Sequence, residues 1–477
     1  MSALKVIVVG GGIAGLAAAH RFTEQGRGQG LAVELTLLEA KNRLGGTIAT
    51  ERVDGFSIEA GPDSFLSEKP WALALAQRLG LGDQLVGTND QYRRTFVVHK
   101  GRLHPLPDGF QLLAPTQFWP LATSRLFSWP GKIRMAMDLL LPRGHRAQDE
   151  SLAAFVTRRL GREALDRVAQ PLVAGIYTAD PEQLSVAATM PRFLEMERRD
   201  RSVILALWRS ARRRPGPHAA GGGPRWSLFV TLKNGMAELV RALSDRLPPG
   251  SVQLRSPVKT LRRADQRWRV ITTDGSAFEA DGVVLATEAH QAAQIVDERD
   301  SALATLLKGI PYASSATVSL GYRREDVPHP LDGFGFIVPR TEARPILACT
   351  FSSVKYPYRA PAGHALLRLF FGGALHESIL NRGDGEMIAT GRAELESLLG
   401  IRAEPVIARV YRYPVSMPQY LLGHLDQIAA IEARLQHHGG LRVAGGAYRG
   451  VGIADCVRSG EDAADQVLQA LRLSRAG

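Results

Sequence analysis

The chain has 477 residues, more than one hydrophobic core sustains, because single cores stop growing near ~250–300 residues; at least two domains are expected. Apolar residues make up 45% and charged residues 22%, which excludes a disordered, fibrous or membrane-embedded class and describes an ordinary globular protein. Lysine and arginine number 59 against 47 acidic residues, a net charge of +12 that suits an anionic substrate or lipid headgroup, or simply reflects an arginine-rich proteome.

Met1-Ser2-Ala3 leads directly into the apolar, β-branched run 4–9 (LKVIVV), without the basic region and cleavage site of a signal peptide. The run reads as a buried parallel strand. Gly10-Gly11-Gly12-Ile13-Ala14-Gly15 follows at once, and Leu16-Ala17-Ala18-Ala19 then reads as a helix. Gly10 permits a tight turn, Gly12 lets a backbone approach a pyrophosphate, and Gly15 allows close packing of helix on strand. The helix start at Ile13 and Ala14 offers unpaired N–H groups and a positive dipole end to phosphate charge. A second strand, 33–38, ends in Glu39, an acid placed to bind the ribose hydroxyls of a nucleotide; a solvated charge at a strand end is the alternative.

Arg43-Leu44-Gly45-Gly46 comes next, and Gly61-Pro62-Asp63-Ser64-Phe65 follows a hairpin-like stretch. With these residues the chain resembles the amine-oxidase-like flavoprotein superfamily, whose members carry an acid and then R-x-G-G after the second strand. The resemblance implies non-covalent FAD, with Arg43, Gly45 and Gly46 wrapping its diphosphate and flavin side and Gly61, Pro62, Asp63 and Ser64 joining the cofactor contacts. A basic side chain and exposed backbone amides suit that task.

Residues 65–245 read mainly as helical and irregular, with dense proline punctuation and helical spacing over 150–160 and 162–173. The segment 212–224 is the best candidate for a mobile or disordered loop. Within 110–141, Phe118, Trp119, Leu126, Phe127, Trp129, Met135 and Leu139 alternate with Arg125, Lys132 and Arg134. That composition fits an interfacial membrane anchor and equally fits helices packed on their own domain. No apolar run reaches the length of a transmembrane helix.

The dinucleotide-binding part resumes near 233–239. Strands are read at 254–261, 268–272 and 281–287, with a hairpin turn at Asp274-Gly275. In the superfamily the 281–287 strand closes the FAD fold, and the backbone near Val258 meets the adenine. At the end, Leu441 to Gly446 forms a strand and glycine turn before Val451-Gly452-Ile453, whose N–H groups would face the reduced flavin's N1/O2 edge. Cys456 reads as a small buried residue of the closing helix. With only Cys349 besides, no disulfide framework or thiolate cluster is expected, and a reducing cytoplasm fits. His437 and His438 are adjacent and cannot share a metal from one regular face; no metal site is expected.

Three stretches narrow the resemblance: Gln170-Pro171-Leu172-Val173-Ala174-Gly175-Ile176-Tyr177-Thr178-Ala179-Asp180, then Asp332-Gly333-Phe334-Gly335-Phe336-Ile337-Val338-Pro339, then Gly450-Val451-Gly452-Ile453-Ala454-Asp455-Cys456. In order and along nearly the whole chain, they are similar to the porphyrinogen oxidases of haem biosynthesis, which act on protoporphyrinogen IX or coproporphyrinogen III. The implied fold is α/β: a FAD-binding Rossmann-like domain of GR2 type (1–65, 230–300 and 430–477), an α+β substrate-binding domain (66–90, 180–229 and 301–429) and a helical subdomain (91–179) that could face a membrane. The implied reaction removes six electrons from the macrocycle in three flavin cycles, with O2 giving H2O2. The cofactor supplies the chemistry and the protein supplies position, so no catalytic acid or base is expected.

Carried over motif by motif, Ile337 and Phe370 flank a pyrrole ring with Thr350 nearby, and Gly175 lies against the other face, where a side chain would collide. Core packing is the alternative for the first three. Tyr413 stands where relatives often carry Trp near the flavin. One departure is informative: protoporphyrinogen-specific relatives carry a propionate-pairing Arg where this chain has Thr95, with Arg93 and Arg94 just before it. With Asp63, this resembles the bacterial coproporphyrinogen branch, and Arg94 and Asp63 are taken as substrate contacts at a wide, basic mouth. An amine or polyamine oxidase, a carotene-type desaturase and a non-enzymatic binder like the GDP-dissociation inhibitors are the rival readings. No nucleic-acid partner is expected, since the arginines form no stripe interleaved with aromatics; a homodimer and peripheral membrane contact stay open.

Overall fold

The computed structural model describes residues 3–111, 114–144, 149–213, 227–264 and 267–476. The loop expected at 212–224 lies outside them from Arg214 onward.

The strand β1 (Leu4–Val9) sits at the centre of a five-stranded parallel sheet, ordered Val252–Gln253, β2 (Val33–Leu38), β1, Gly282–Leu285, Leu441–Val443. Its alternate residues enter two cores. Val6 and Val8 pack with the helices α1 (Ile13–Gly28) and that at Ile453–Ala476, whereas Ile7 and Val9 pack with Leu261, Trp268 and Val270 of an antiparallel three-stranded sheet. Burial on both faces explains the unbroken apolar run.

The strand read at 281–287 runs over Gly282–Leu285 and is flanked on both sides, by β1 and by Leu441–Val443, so Leu441–Val443 forms the sheet edge. The strand read at 254–261 begins only at Val258: Arg255 has φ +53° and Pro257 has no N–H to give a ladder.

The second sheet has seven strands, in the order Ile407–Pro418, Tyr312–Arg323, His364–Gly372, Ala348–Phe351, Gly335–Ile337, Thr95–His99, Arg102–Pro105. Its last two strands are a hairpin inside the span read as helical and irregular. The turn is Lys100-Gly101, both at positive φ (52° and 69°), which is the geometry of a tight hairpin without the usual Asn-Gly signature. One face of this sheet, through Val318, Leu320, Leu367, Leu369 and Phe371, packs on Met387, Leu395 and Leu399 of the helix Asp384–Leu399. On the opposite face the Thr317 hydroxyl and the Arg368 guanidinium both donate to the Ala60 carbonyl.

A helical layer covers that face. Residues 162–177 run on as one helix through a π-turn, Leu165–Ala169, into α2 (Gln170–Tyr177), which accommodates the missing N–H of Pro171. In the 110–141 stretch, Leu121, Leu126, Phe127 and Met135 are buried, whereas Phe118, Trp119, Trp129, Ile133 and Leu140 are exposed. Two of the three basic residues turn inward: Lys132 donates to the Ala122 carbonyl at 2.7 Å, and Arg134 to those of Thr157 and Arg158. Among the described residues no helix is long and apolar enough to cross a membrane.

Candidate cofactor cleft and substrate face

The turn after β1 shows why glycine stands at each position. Gly10 has φ +103°, and a methyl group on it would come within 2.6 Å of the Ala286 carbonyl oxygen. On Gly15 it would lie 1.8 Å from the Gly10 carbonyl oxygen, so α1 starts in direct contact with the strand it follows. A methyl group on Gly12 would meet nothing within 4 Å. Packing therefore explains the outer two glycines, and the middle one leaves its backbone open to the approach of a ligand. No acidic residue occupies the first turn of α1, which leaves its N–H groups free to meet an anion.

Glu39, buried at the end of β2, accepts from the Gly11 N–H at 2.6 Å and from the Lys41 N–H at 2.7 Å. The 43–46 loop lies beside the glycine turn: the Gly45 N–H donates to the Gly11 carbonyl, and Gly46 approaches Gly12 closely. Arg43 donates to the carbonyls of Leu44, Gly46 and Ile48, so in this structure its guanidinium staples the loop. Gly61 completes the wall, since a methyl group there would meet the Thr47 carbonyl oxygen at 1.8 Å. The segment 253–256 hydrogen-bonds to Glu39 and Lys41, which brings half-buried Val258 to the same end of the cleft.

The other end is built by α3 (Ile453–Ala476) and the glycine turn before it. The Tyr420 hydroxyl buckles this turn, donating to the Gly446 carbonyl and accepting from the Gly450 N–H, both at 2.6 Å. Its ring stacks on His424, with centroids 4.0 Å apart. Gly452 is exposed and Val451 half-buried at the helix start. Asp455 in the first turn is paired with Lys69 at 2.6 Å, which neutralises the carboxylate closest to those N–H groups. Burial pushes the Cys456 thiol up to about 12, with Asp455 adding to the effect, so it is an inert core residue.

On the inner face of the seven-stranded sheet, register sets two rows across the strands. One runs Tyr411, Thr317, Phe370, Ala348, Ile337; the next runs Arg409, Ser319, Arg368, Thr350, Gly335. Ile337, Phe370 and Thr350 are therefore brought together on one face. Ile337 is buried and Phe370 half-buried in a cluster that also holds Tyr177, Leu172 and Val451. Gly175, on α2, is exposed with nothing within 4 Å. Tyr413 pairs with Ser315 one row further on. Arg94 stands apart at the rim, exposed, with Asp332 at 3.4 Å.

Asp63 holds its carboxylate between Lys355 at 3.1 Å and the Ser64 hydroxyl at 2.6 Å. Desolvation pushes its pKa up, but Lys355, Arg368 and Ser64 together win and hold it at about 2. Sequence reasoning missed Tyr420, Lys69 and Arg368. Of these, Arg368 carried a visible signal, a lone charge inside an apolar strand (HALLRLFFG).

Among known proteins, the model of the flavin containing amine oxidoreductase family matches residues 13–468. The coproporphyrinogen III oxidase of Bacillus subtilis is 35% identical over 97% of both chains. The chloroplastic protoporphyrinogen oxidase of Nicotiana tabacum is 28% identical, over 97% of this chain and 85% of its own. A solved structure from Exiguobacterium sp. 255-15 superposes with a TM-score of 0.86 at 31% identity, covering 98% of this chain and all of that one.

Proposed function

Because the chain belongs to the flavin containing amine oxidoreductase family, we propose that it is the FAD-dependent enzyme that oxidises a porphyrinogen to the porphyrin in haem biosynthesis, with coproporphyrinogen III preferred to protoporphyrinogen IX. The observation that carries this reading is one apolar cluster. Ile337 and Phe370 of the substrate sheet, Tyr177 of α2 and Val451 at the C-terminal turn pack together beside the open helix N-termini. A flat, uncharged macrocycle core finds there an apolar slot next to the place where a cofactor is gripped.

FAD fits the residues present. Gly12 leaves a space that any side chain would fill, Glu39 is fixed to meet ribose, and the α3 turn lies at the far end. Bound there, FAD supplies the two-electron acceptor that O2 regenerates with release of H2O2, and three such cycles yield the porphyrin. The chain's own part is positional. Ile337 and Phe370 hold the ring against the cleft, Gly175 leaves its other face room, and Arg94 at the rim offers a charge to a propionate.

The preference for coproporphyrinogen is supported by the resemblance to its bacterial oxidases and by Thr95 in place of a propionate-pairing Arg. Porphyrin fluorescence formed from the two porphyrinogens in parallel tests it. Faster oxidation of coproporphyrinogen III is expected; equal inactivity on both, with peroxide released from amines, would give the site to an amine oxidase.

A peripheral membrane contact is supported by the exposed Phe118, Trp119, Trp129, Ile133 and Leu140. Cosedimentation with anionic vesicles, abolished by W119E, is the expected result. Cytoplasmic residence is supported by two free, buried thiols, Cys349 and Cys456.

A further inference from the structure

Arg368 is 5% exposed in the middle of the substrate sheet. One guanidinium nitrogen donates to the Ala60 carbonyl at 2.9 Å, the group lies over the Phe370 ring at 4.9 Å, and Nε has no partner. Around it the other charges are matched: Glu59 with Arg359 at 2.9 Å and Asp63 with Lys355 at 3.1 Å. Arg368 is the third cation beside two carboxylates and, among the described residues, forms no ion pair of its own.

Burying a guanidinium without a counter-charge costs several kcal/mol. Desolvation pushes its pKa down, and Asp63, Tyr413 and Glu59 oppose that push. Such a cost is a reason to look for a charge that appears only during function. Ala60 leads straight into the 61–64 turn that walls the cleft, and Phe370 shares its sheet face. Arg368 is 5% exposed, and its guanidinium hydrogen bond is made to the residue that leads into that turn.

We propose that Arg368 is a positioning residue that fixes the 60–64 turn against the bound flavin and lends its positive charge, across that turn, to the negative charge the cofactor gains on reduction. This rests on the flavin reading above, and the two fail differently. A wild-type protein that purifies colourless and takes up no FAD defeats the flavin reading itself.

In yellow protein the measurements are flavin midpoint potential and sulfite affinity for wild type, R368Q and R368K. R368Q is expected to bind sulfite at least ten-fold more weakly and to have a two-electron potential lower by ~30 mV, the same ten-fold factor. R368K, which keeps the charge, is expected to restore most of both. An unchanged R368Q, or an R368K shifted as far as R368Q, overturns the proposal. Should R368Q lose its flavin, R368K decides alone: near-wild-type values are expected, and a ten-fold drop overturns it.

Discussion

Gly460 of α3 passes so close to Ala14 of α1 that a methyl group on it would sit 2.1 Å from the Ala14 carbonyl oxygen. The contact packs side by side the two helices whose N-termini bound the cleft, and the proposal that the two glycine turns act on one ligand depends on it. In G460A one helix must move. Overpacking of this kind costs ~1–3 kcal/mol, and both a lower unfolding midpoint and loss of FAD on gel filtration are expected. A variant that keeps wild-type stability and FAD would show that the helices grip independently.

Gly175 tests the opposite case. Its surroundings are open, and leucine is a better helix former, so G175L should fold at least as stably as wild type. It should also keep its FAD. Porphyrinogen oxidation is nonetheless expected to fall about 100-fold in kcat/KM, a barrier increase of ~2.7 kcal/mol. Wild-type turnover in G175L would remove α2 from the substrate face.

Asp63 gives the cleft a pH signature. Its folded pKa, about 2, lies below that of a free carboxylate, so the stability it contributes is present above pH ~4 and is lost as pH falls towards 2. The shift corresponds to on the order of 2 kcal/mol. Denaturant unfolding of wild type and D63N should differ at pH 6 and draw together only as pH falls to about 2 and below; parallel curves throughout would mean that Lys355 and Asp63 do not depend on each other.

Removing the Tyr420 hydroxyl leaves the ring stacked on His424 but unbuckles the Gly446–Gly450 turn. Leaving those backbone groups unsatisfied costs ~1–3 kcal/mol. Y420F is therefore expected to bind FAD about ten-fold more weakly by flavin fluorescence titration, with a far-UV spectrum identical to wild type. Unaltered FAD affinity would assign the buckle to fold stability alone.

The nucleotide end was legible because phosphate and ribose impose backbone conditions that only glycine and a fixed acid meet, and Gly10, Gly12, Gly15 and Glu39 sit at those offsets. The substrate face was not legible from pattern. Ile337, Thr350 and Phe370 look like any sheet residues until register places them in neighbouring rows, and only resemblance singled them out. The 95–105 hairpin was missed because Lys100-Gly101 is a weak turn signal. The stretch with Lys132 and Arg134 was left open between a membrane anchor and helices packed on their own domain, because spacing does not reveal that long side chains bend back onto carbonyls. Arg368 was visible as an anomaly, but its meaning depended on which carboxylates the fold had already paired with other cations.

The order of strands in the parallel sheet has a consequence for biosynthesis. During translation β1 precedes its partners, and one flank stays bare until Gly282–Leu285 has been made, while the sheet edge waits for Leu441–Val443. The nascent polypeptide must therefore carry an apolar strand with one open flank through much of elongation, a state prone to aggregation and suited to chaperone capture. Because the C-terminal turn of the candidate cofactor seat is translated more than 400 residues after the first glycine turn, cofactor loading is expected to follow synthesis of that segment.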